Sequence, residues 1–204
     1  MNPVVAAVEQ HGLLLLQDKS LPNAVTVITG EHPRGSWWSH PRSHAIFRIL
    51  DQASDDPNII STKLLGGKVT FVHRALWPAL LAIGNAREPW QLLGLPPEAG
   101  RLLRRIDQSG QLRVSGAAAK ELEQRLLVRS DQVHTESGRH ESVLETWPRW
   151  ASAVKLRTSL TADEAREQLD RAVAALGGEA NLLPWHRFST SRSKPRTSRS
   201  GRSR

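Results

Sequence analysis

The sequence predicts a helix-rich α+β protein that contains two small units, each made of helix followed by a β-hairpin. Three observations favour this class. Apolar residues at helical spacing alternate with short β-rich runs, glycines and prolines separate these runs, and residues 189–204 hold no aliphatic or aromatic side chain. We therefore expect a helix–hairpin–helix unit in residues 1–90, a second unit in residues 98–188, and a disordered basic tail in residues 189–204.

The composition is that of a folded domain with a separate charged end. The chain has 204 residues, of which 39% are hydrophobic, and it has no cysteine, which excludes disulfides and cysteine-based metal sites. No apolar run approaches the roughly 18 residues of a membrane span, and the start of the chain lacks the basic region of a signal peptide. We expect a cytoplasmic protein without membrane contact.

The positive charge is concentrated in the tail. The net charge is +8, and residues 189–204 contain six basic and no acidic residues. Such a segment attracts phosphates in a salt-dependent way without reading sequence, and the alternative is a tail that only improves solubility. The tail residues predicted to contact nucleic acid are Arg192, Arg196 and Arg199.

The first unit is predicted from a helix, a hairpin and a second helix. A helix begins near Pro41, with Ile46, Phe47, Ile49 and Leu50 along one side, after a possible short helix over 22–28 that Gly30 ends. The β-rich runs 58–65 and 68–72 flank Gly66-Gly67, which favours a two-residue hairpin turn. Another helix starts at about residue 74, and residues 87–97, with three prolines, are expected to connect the two units.

The stretches GSWWSHPRSHAIFRIL and GKVTFVHRALWP resemble a group of small bacterial proteins in which the two occur together. The resemblance covers roughly residues 35–78. It implies no particular activity.

Residues 98–147 predict helix, turn, helix and hairpin, which is the order of elements in a winged helix. The first helix covers 101–112, Ser115 is the expected N-cap of the second, and Ser137-Gly138 is the expected hairpin turn. This turn places Glu136 opposite Arg139 and His134 opposite Glu141, and such cross-strand pairs of opposite charge favour this register. A helix over 161–176 follows, with Thr161 and Glu164 as a capping box.

The same block resembles winged-helix segments of bacterial DNA glycosylases that repair crosslinks. Those enzymes use a Gln-x-Gln-type catalytic motif, which this chain lacks, so their activity does not transfer. If the block binds DNA, the expected contacts come from Arg113, Lys120, Gln124, Arg125 and Arg139. Two carboxylates on the second helix, Glu121 and Glu123, and a net charge of zero over 98–147 oppose this, so a packing or dimerisation module is an equal alternative.

Trp37-Trp38 provides a second candidate site. Most of the seven tryptophans are expected in the core, but two neighbours on an extended segment point to opposite sides. One of them is therefore expected to stay exposed, as a stacking platform for a base or as a partner contact. Arg34, His40 and Arg42 lie close to this pair in the sequence.

Motifs for nucleophilic catalysis and for phosphate-binding loops are missing, and neither a cofactor nor a metal is expected. The sequence therefore favours a non-catalytic protein that binds nucleic acid, and the winged-helix order of its elements favours DNA. The alternatives are a protein-interaction module, with a protein partner or a second copy of the chain, and a DNA-repair enzyme.

Overall fold

The computed structural model describes residues 1–32, 34–134 and 140–190, and it confirms the α+β class. The helices are α1 (Pro3–His11), α2 (Ala24–Thr29), α3 (Ser43–Ser54), α4 (Trp77–Ala86), α5 (Pro89–Leu92), α6 (Pro97–Ser109), α7 (Ala117–Gln124), α8 (Trp147–Ala153), α9 (Ala162–Ala175) and α10 (Pro184–Thr190). The strands are β1 (Leu13–Leu15), β2 (Ile59–Lys63), β3 (Val69–His73), β4 (Gln111–Arg113), β5 (Arg129–His134) and β6 (His140–Glu145).

The first sheet has the order β1-β3-β2, and all its strand pairs are antiparallel. Its edge strand β1 follows α1, which Asn2 caps by accepting the N–H of Val4 at 2.9 Å. All three leucines of β1 are buried because the strand lies between two hydrophobic clusters, Leu14 in one and its neighbours in the other. This two-sided burial explains why the run of leucines shows no alternation.

The β2–β3 hairpin is confirmed, but its turn is longer than predicted. The last strand pair is Lys63 with Val69, so residues 64–68 form a five-residue connection. Gly66 and Gly67 both have positive φ angles, 61° and 72°. Leu64 and Leu65 pack into the central hydrophobic cluster and do not extend the strand. The predicted two-residue turn is therefore wrong.

The helix α3 packs on this sheet through Ile46, Leu50 and Ala53, which are buried. Phe47 was predicted on the same side, but it is 37% exposed. The short helix expected before Gly30 is α2, and Gly30 ends it with a φ of 80°.

In the second unit, a strand separates the two helices that were predicted to be joined by a turn. Helix α6 ends at Ser109, because Gly110 adopts a φ of 77° and β4 begins at the next residue. The predicted N-cap Ser115 is also wrong, since α7 begins at Ala117 after Gly116. The second sheet has the order β4-β6-β5.

The register of the β5–β6 hairpin differs from the prediction by one residue. The structure pairs His134 with His140 and Val133 with Glu141, so the predicted pairing of His134 with Glu141 is wrong. The expected turn at Ser137-Gly138 and the pair of Glu136 and Arg139 lie outside the described residues.

The two units share a connectivity that the sequence did not show as a repeat. In each, a helix leads into a three-residue strand, further helix follows, and a hairpin completes the sheet. In each sheet, the short first strand pairs with the last strand of the hairpin. The first unit has two helices, α2 and α3, where the second has only α7.

A central hydrophobic cluster joins the first sheet to the C-terminal helices. Helix α4 is buried there against α8 and α9. Helix α9 begins with the predicted capping box, in which Thr161 and Glu164 each accept the other's backbone N–H. The division into units at residues 90–98 stays a prediction, although helices from both sides of it contribute to this cluster.

Candidate nucleic-acid interface

The predicted DNA-contacting residues of the second unit do not form one exposed surface. Arg125 is buried, and its guanidinium donates to Glu121 Oε1 at 2.7 Å and to the backbone oxygens of Trp90, Gln91 and Leu93. It also lies 4.4 Å from the ring centre of Phe188. The backbone contacts hold the connector, and the contact with Phe188 holds α10. This arginine therefore cannot face a nucleic acid.

The C-terminal end of α7 is occupied by contacts with the first unit. Glu123 is buried and forms an ion pair with Lys63 of β2. Gln124 lies against the hairpin turn, with its Nε2 only 2.7 Å from where a Cβ on Gly67 would lie. The two acidic residues that seemed to oppose phosphate binding, Glu121 and Glu123, are thus both paired inside the protein.

Of the other residues predicted to contact nucleic acid in the second unit and the tail, two are exposed and four lie outside the described residues. Arg113 and Lys120 are exposed, on β4 and α7. Arg139, Arg192, Arg196 and Arg199 lie outside the described residues.

The tryptophan pair has the arrangement that the sequence analysis expected, although by another route. Residues Trp37–Ser39 form a 3-10 turn and not an extended segment. Trp37 is 7% exposed and Trp38 is 56% exposed, and their rings stack with centroids 3.9 Å apart. One tryptophan therefore anchors the segment while the other presents a ring face or edge to the solvent.

Hydrogen bonds fix the segment that carries these tryptophans. Gln17, which follows β1, accepts the backbone N–H of Trp37 at 3.1 Å and donates to the carbonyl of Gly35. His40 Nδ1 accepts the N–H of Arg42 at 3.0 Å, so its Nε2 is the nitrogen that donates to Glu31 at 3.2 Å. Sequence reasoning missed Gln17, because its partners lie about twenty residues further along the chain.

The sequence around the pair is rich in basic residues. Residues 32–50 contain three arginines and three histidines and no acidic residue. Arg34, Arg42 and Arg48 are all exposed. We call Trp38 and these three arginines, which lie within ten residues of it in the sequence, the Trp38 surface.

A groove of about 450 Å³ opens beside the Trp38 surface, between α3 and the first sheet. Trp37, Trp38 and Phe47 line one side of it, and polar residues of α3 and β2 line another. The Lys63–Glu123 ion pair also lines it. The sequence did not indicate this groove, because its residues come from seven separate segments.

The chain approaches the same region at the end of its described part. Helix α10 packs on the β2–β3 turn, where Arg187 Nη1 is 3.2 Å from the position of a Cβ on Gly67. The described part of the chain therefore ends at Thr190, on a helix that packs against this hairpin.

Within the described ranges there is no group of three or more histidine, aspartate or glutamate side chains that could hold a metal ion. No helix in the described part of the chain is long and apolar enough to span a membrane. Comparison of the chain with protein-family models, with curated proteins and with solved structures finds no match.

Proposed function

We propose that the protein binds single-stranded nucleic acid without catalysis, and that the Trp38 surface makes the contact. The observation that carries this proposal is the exposed Trp38 stacked on the buried Trp37. An exposed indole does not gain the free energy of burial. Its presence in a segment with three exposed arginines favours a ligand that has both aromatic faces and negative charge.

The rigidity of the platform supports the proposal. Trp37 is held by its burial and by Gln17, and Trp38 is held in turn by stacking on Trp37. A base that stacks on an already ordered ring costs little side-chain entropy. Stacking of a base on an aromatic side chain contributes about 1–3 kcal/mol.

The charge distribution supports it as well. Arg34, Arg42 and Arg48 are within an acid-free segment, so phosphates of a strand that passes Trp38 meet cations. The tail begins near the neighbouring hairpin, and its six basic residues can add salt-dependent affinity for the same strand.

The connectivity favours a single strand over a duplex. Helices α2 and α3 and the β2–β3 hairpin follow the order of a winged helix, which we propose as the relationship of this unit. However, residues 30–42 connect the two helices, whereas a helix-turn-helix motif that enters the major groove uses a turn of about 3–4 residues. The longer connection presents Trp38 instead.

The test is binding of a labelled twelve-nucleotide single strand, measured by fluorescence anisotropy. Trp38→Ala is expected to weaken binding on the order of tenfold, because it removes a stacking contact. Leu93→Ala is the matched control, since Leu93 is also about half exposed (50%) but lies on the connector. Equal affinity of the wild type and Trp38→Ala, with both folded by circular dichroism, would refute the proposal.

A protein-interaction role is the second candidate, and a specific surface favours it. Leu92 and Leu93 are adjacent and largely exposed at the end of α5. If this role is correct, Leu93→Ala and not Trp38→Ala changes the oligomeric state or the capture of a protein partner, and the chain shows no salt-dependent binding to a nucleic acid.

A further inference from the structure

The groove beside Trp38 combines an aromatic wall with hydrogen-bonding groups. Trp38 and Phe47 are both partly exposed, and their ring centres lie 6.0 Å apart. Phe71 of β3 also lines the groove. A planar ring that enters the groove therefore contacts aromatic side chains on two of its walls.

The polar wall offers acceptors for hydrogen bonds. Asp51 lies one turn after Phe47 on α3, and Ser61 and Thr62 on β2 also line the groove. In the part of the chain that the structure describes, the Asp51 carboxylate has no ion-pair partner. By contrast, the Glu123 carboxylate is neutralised by Lys63.

We propose that this groove receives one base of the bound strand and that Asp51 makes the groove selective for guanine. The inference rests on the proposed function and names the part of the ligand that is read. Guanine presents two neighbouring donors, N1–H and the N2 amino group, which match the two oxygens of a carboxylate. Thymine presents one N–H between two carbonyl oxygens, and these repel the same carboxylate.

The charges of the site indicate where the phosphates and the base of the ligand would lie. The arginines of the Trp38 surface lie outside the groove lining and are suited to phosphates, whereas the uncompensated carboxylate lies in the lining itself. A free negative charge in a phosphate-binding surface opposes binding unless it accepts hydrogen bonds from the ligand. The donor edge of guanine supplies them.

The volume is also adequate. At about 450 Å³, the groove falls within the range of roughly 300–1,000 Å³ that small-molecule sites occupy. It can therefore admit a purine ring. Because the strand is single, the base enters without breaking a base pair.

The experiment compares twelve-nucleotide thymidine strands with and without one central guanine, using the full-length protein. We expect the wild type to bind the guanine strand on the order of tenfold more tightly. Asp51→Asn should lose this preference and bind both strands similarly. Asp55→Asn is the matched control, because Asp55 is an exposed carboxylate at the end of the same helix and does not line the groove.

The outcomes separate the two proposals. A wild type that binds both strands equally, with binding still weakened by Trp38→Ala, overturns the guanine site and leaves the proposed function standing. A guanine preference that survives in Asp51→Asn also overturns the site. If neither strand binds, both proposals fail.

Discussion

At the scale of single residues, Gly84 and Trp147 form a contact that allows no side chain. Gly84 lies within α4, and the indole of Trp147 occupies the space where a Cβ would be. Trp147 is itself fixed, because it is buried and its Nε1 donates to the carbonyl of Leu126 at 2.8 Å. The close packing of α4 against α8 therefore requires glycine at this position.

We predict that Gly84→Ala destabilises the protein by about 2 kcal/mol, although alanine favours helix formation. The reason is that the new methyl group overlaps the rigid indole. Gly100→Ala is the control, since Gly100 is also helical and the nearest atom to its Cβ position is Arg104 Nη1 at 3.9 Å. Urea unfolding should show a loss for Gly84→Ala and no loss for Gly100→Ala; equal stability of the two variants would contradict the packing argument.

Asp18 shows how a single carboxylate can hold a loop to a hairpin. Burial by itself raises the pKa of Asp18, but hydrogen bonds from Lys68 and from the backbone N–H groups of Ser20 and Leu21, together with the charge of Lys68, outweigh it. The net effect is a pKa well below the usual range. Lys68 Nζ lies 2.6 Å from Asp18 Oδ2.

A lowered pKa in the folded state means that the ionised carboxylate stabilises the fold. This contribution is fully present above the unfolded-state pKa of about 3.9 and is lost as the pH falls towards the folded-state value. We predict that Asp18→Asn is less stable than the wild type at pH 7, and that the difference shrinks below pH 4. Urea unfolding at pH 7 and pH 3 measures it, with Asp55→Asn as the control, and a difference that grows in acid would refute the assignment.

Arg125 marks the limit of what residue patterns predict. Its position on a predicted recognition helix suggested a nucleic-acid contact, but its backbone acceptors lie 32–35 residues away on the connector. Nothing local in the sequence specifies such a partner. Trp38 differs, because the argument for its exposure concerned only its immediate neighbour, Trp37.

At the scale of elements, helices with local signals were predictable and short strands were not. The start of α9 follows from Thr161 and Glu164, which are three residues apart. The strands β1 and β4 have three residues each and depend on distant partners, Leu13 with Val72 and Leu112 with Leu144. Their apolar patterns are too short to specify a strand without those partners.

The capping box of α9 can be tested directly. Thr161 Oγ1 accepts the N–H of Glu164 at 3.3 Å, and Glu164 Oε2 accepts the N–H of Thr161 at 2.8 Å. We predict that Thr161→Ala lowers the free energy of unfolding by about 1 kcal/mol, because the helix loses its N-cap acceptor. Ser159→Ala, at an exposed position just before the helix, should change it little. Thermal unfolding of both variants is the measurement, and a loss of similar size in Ser159→Ala would count against the cap.

At the scale of the whole molecule, the packing of the two units decides which surfaces remain free. The α7 end of the second unit is covered by the first unit through the Lys63–Glu123 pair and through Gln124. In the first unit, Trp38 and Arg42, which precede α3, remain exposed. The sequence indicated both candidate regions, but only the packing of the units distinguishes them.

The packing also allows the affinity of the folded residues 1–190 to be measured apart from that of the tail. The hydrophobic clusters use residues up to Trp185, so truncation after Thr190 should leave the body folded. The tail carries most of the net charge and is expected to bind phosphates without sequence specificity. We propose instead that the folded residues before the tail bind nucleic acid themselves, through Trp38.

The most direct test is single-strand binding by the chain truncated after Thr190, measured at several salt concentrations with and without Trp38→Ala. We predict that truncation makes the salt dependence less steep, because fewer counterions are released. The remaining binding should be weakened by Trp38→Ala on the order of tenfold. A truncated protein that does not bind, or that binds equally well with Trp38→Ala, would contradict binding through Trp38.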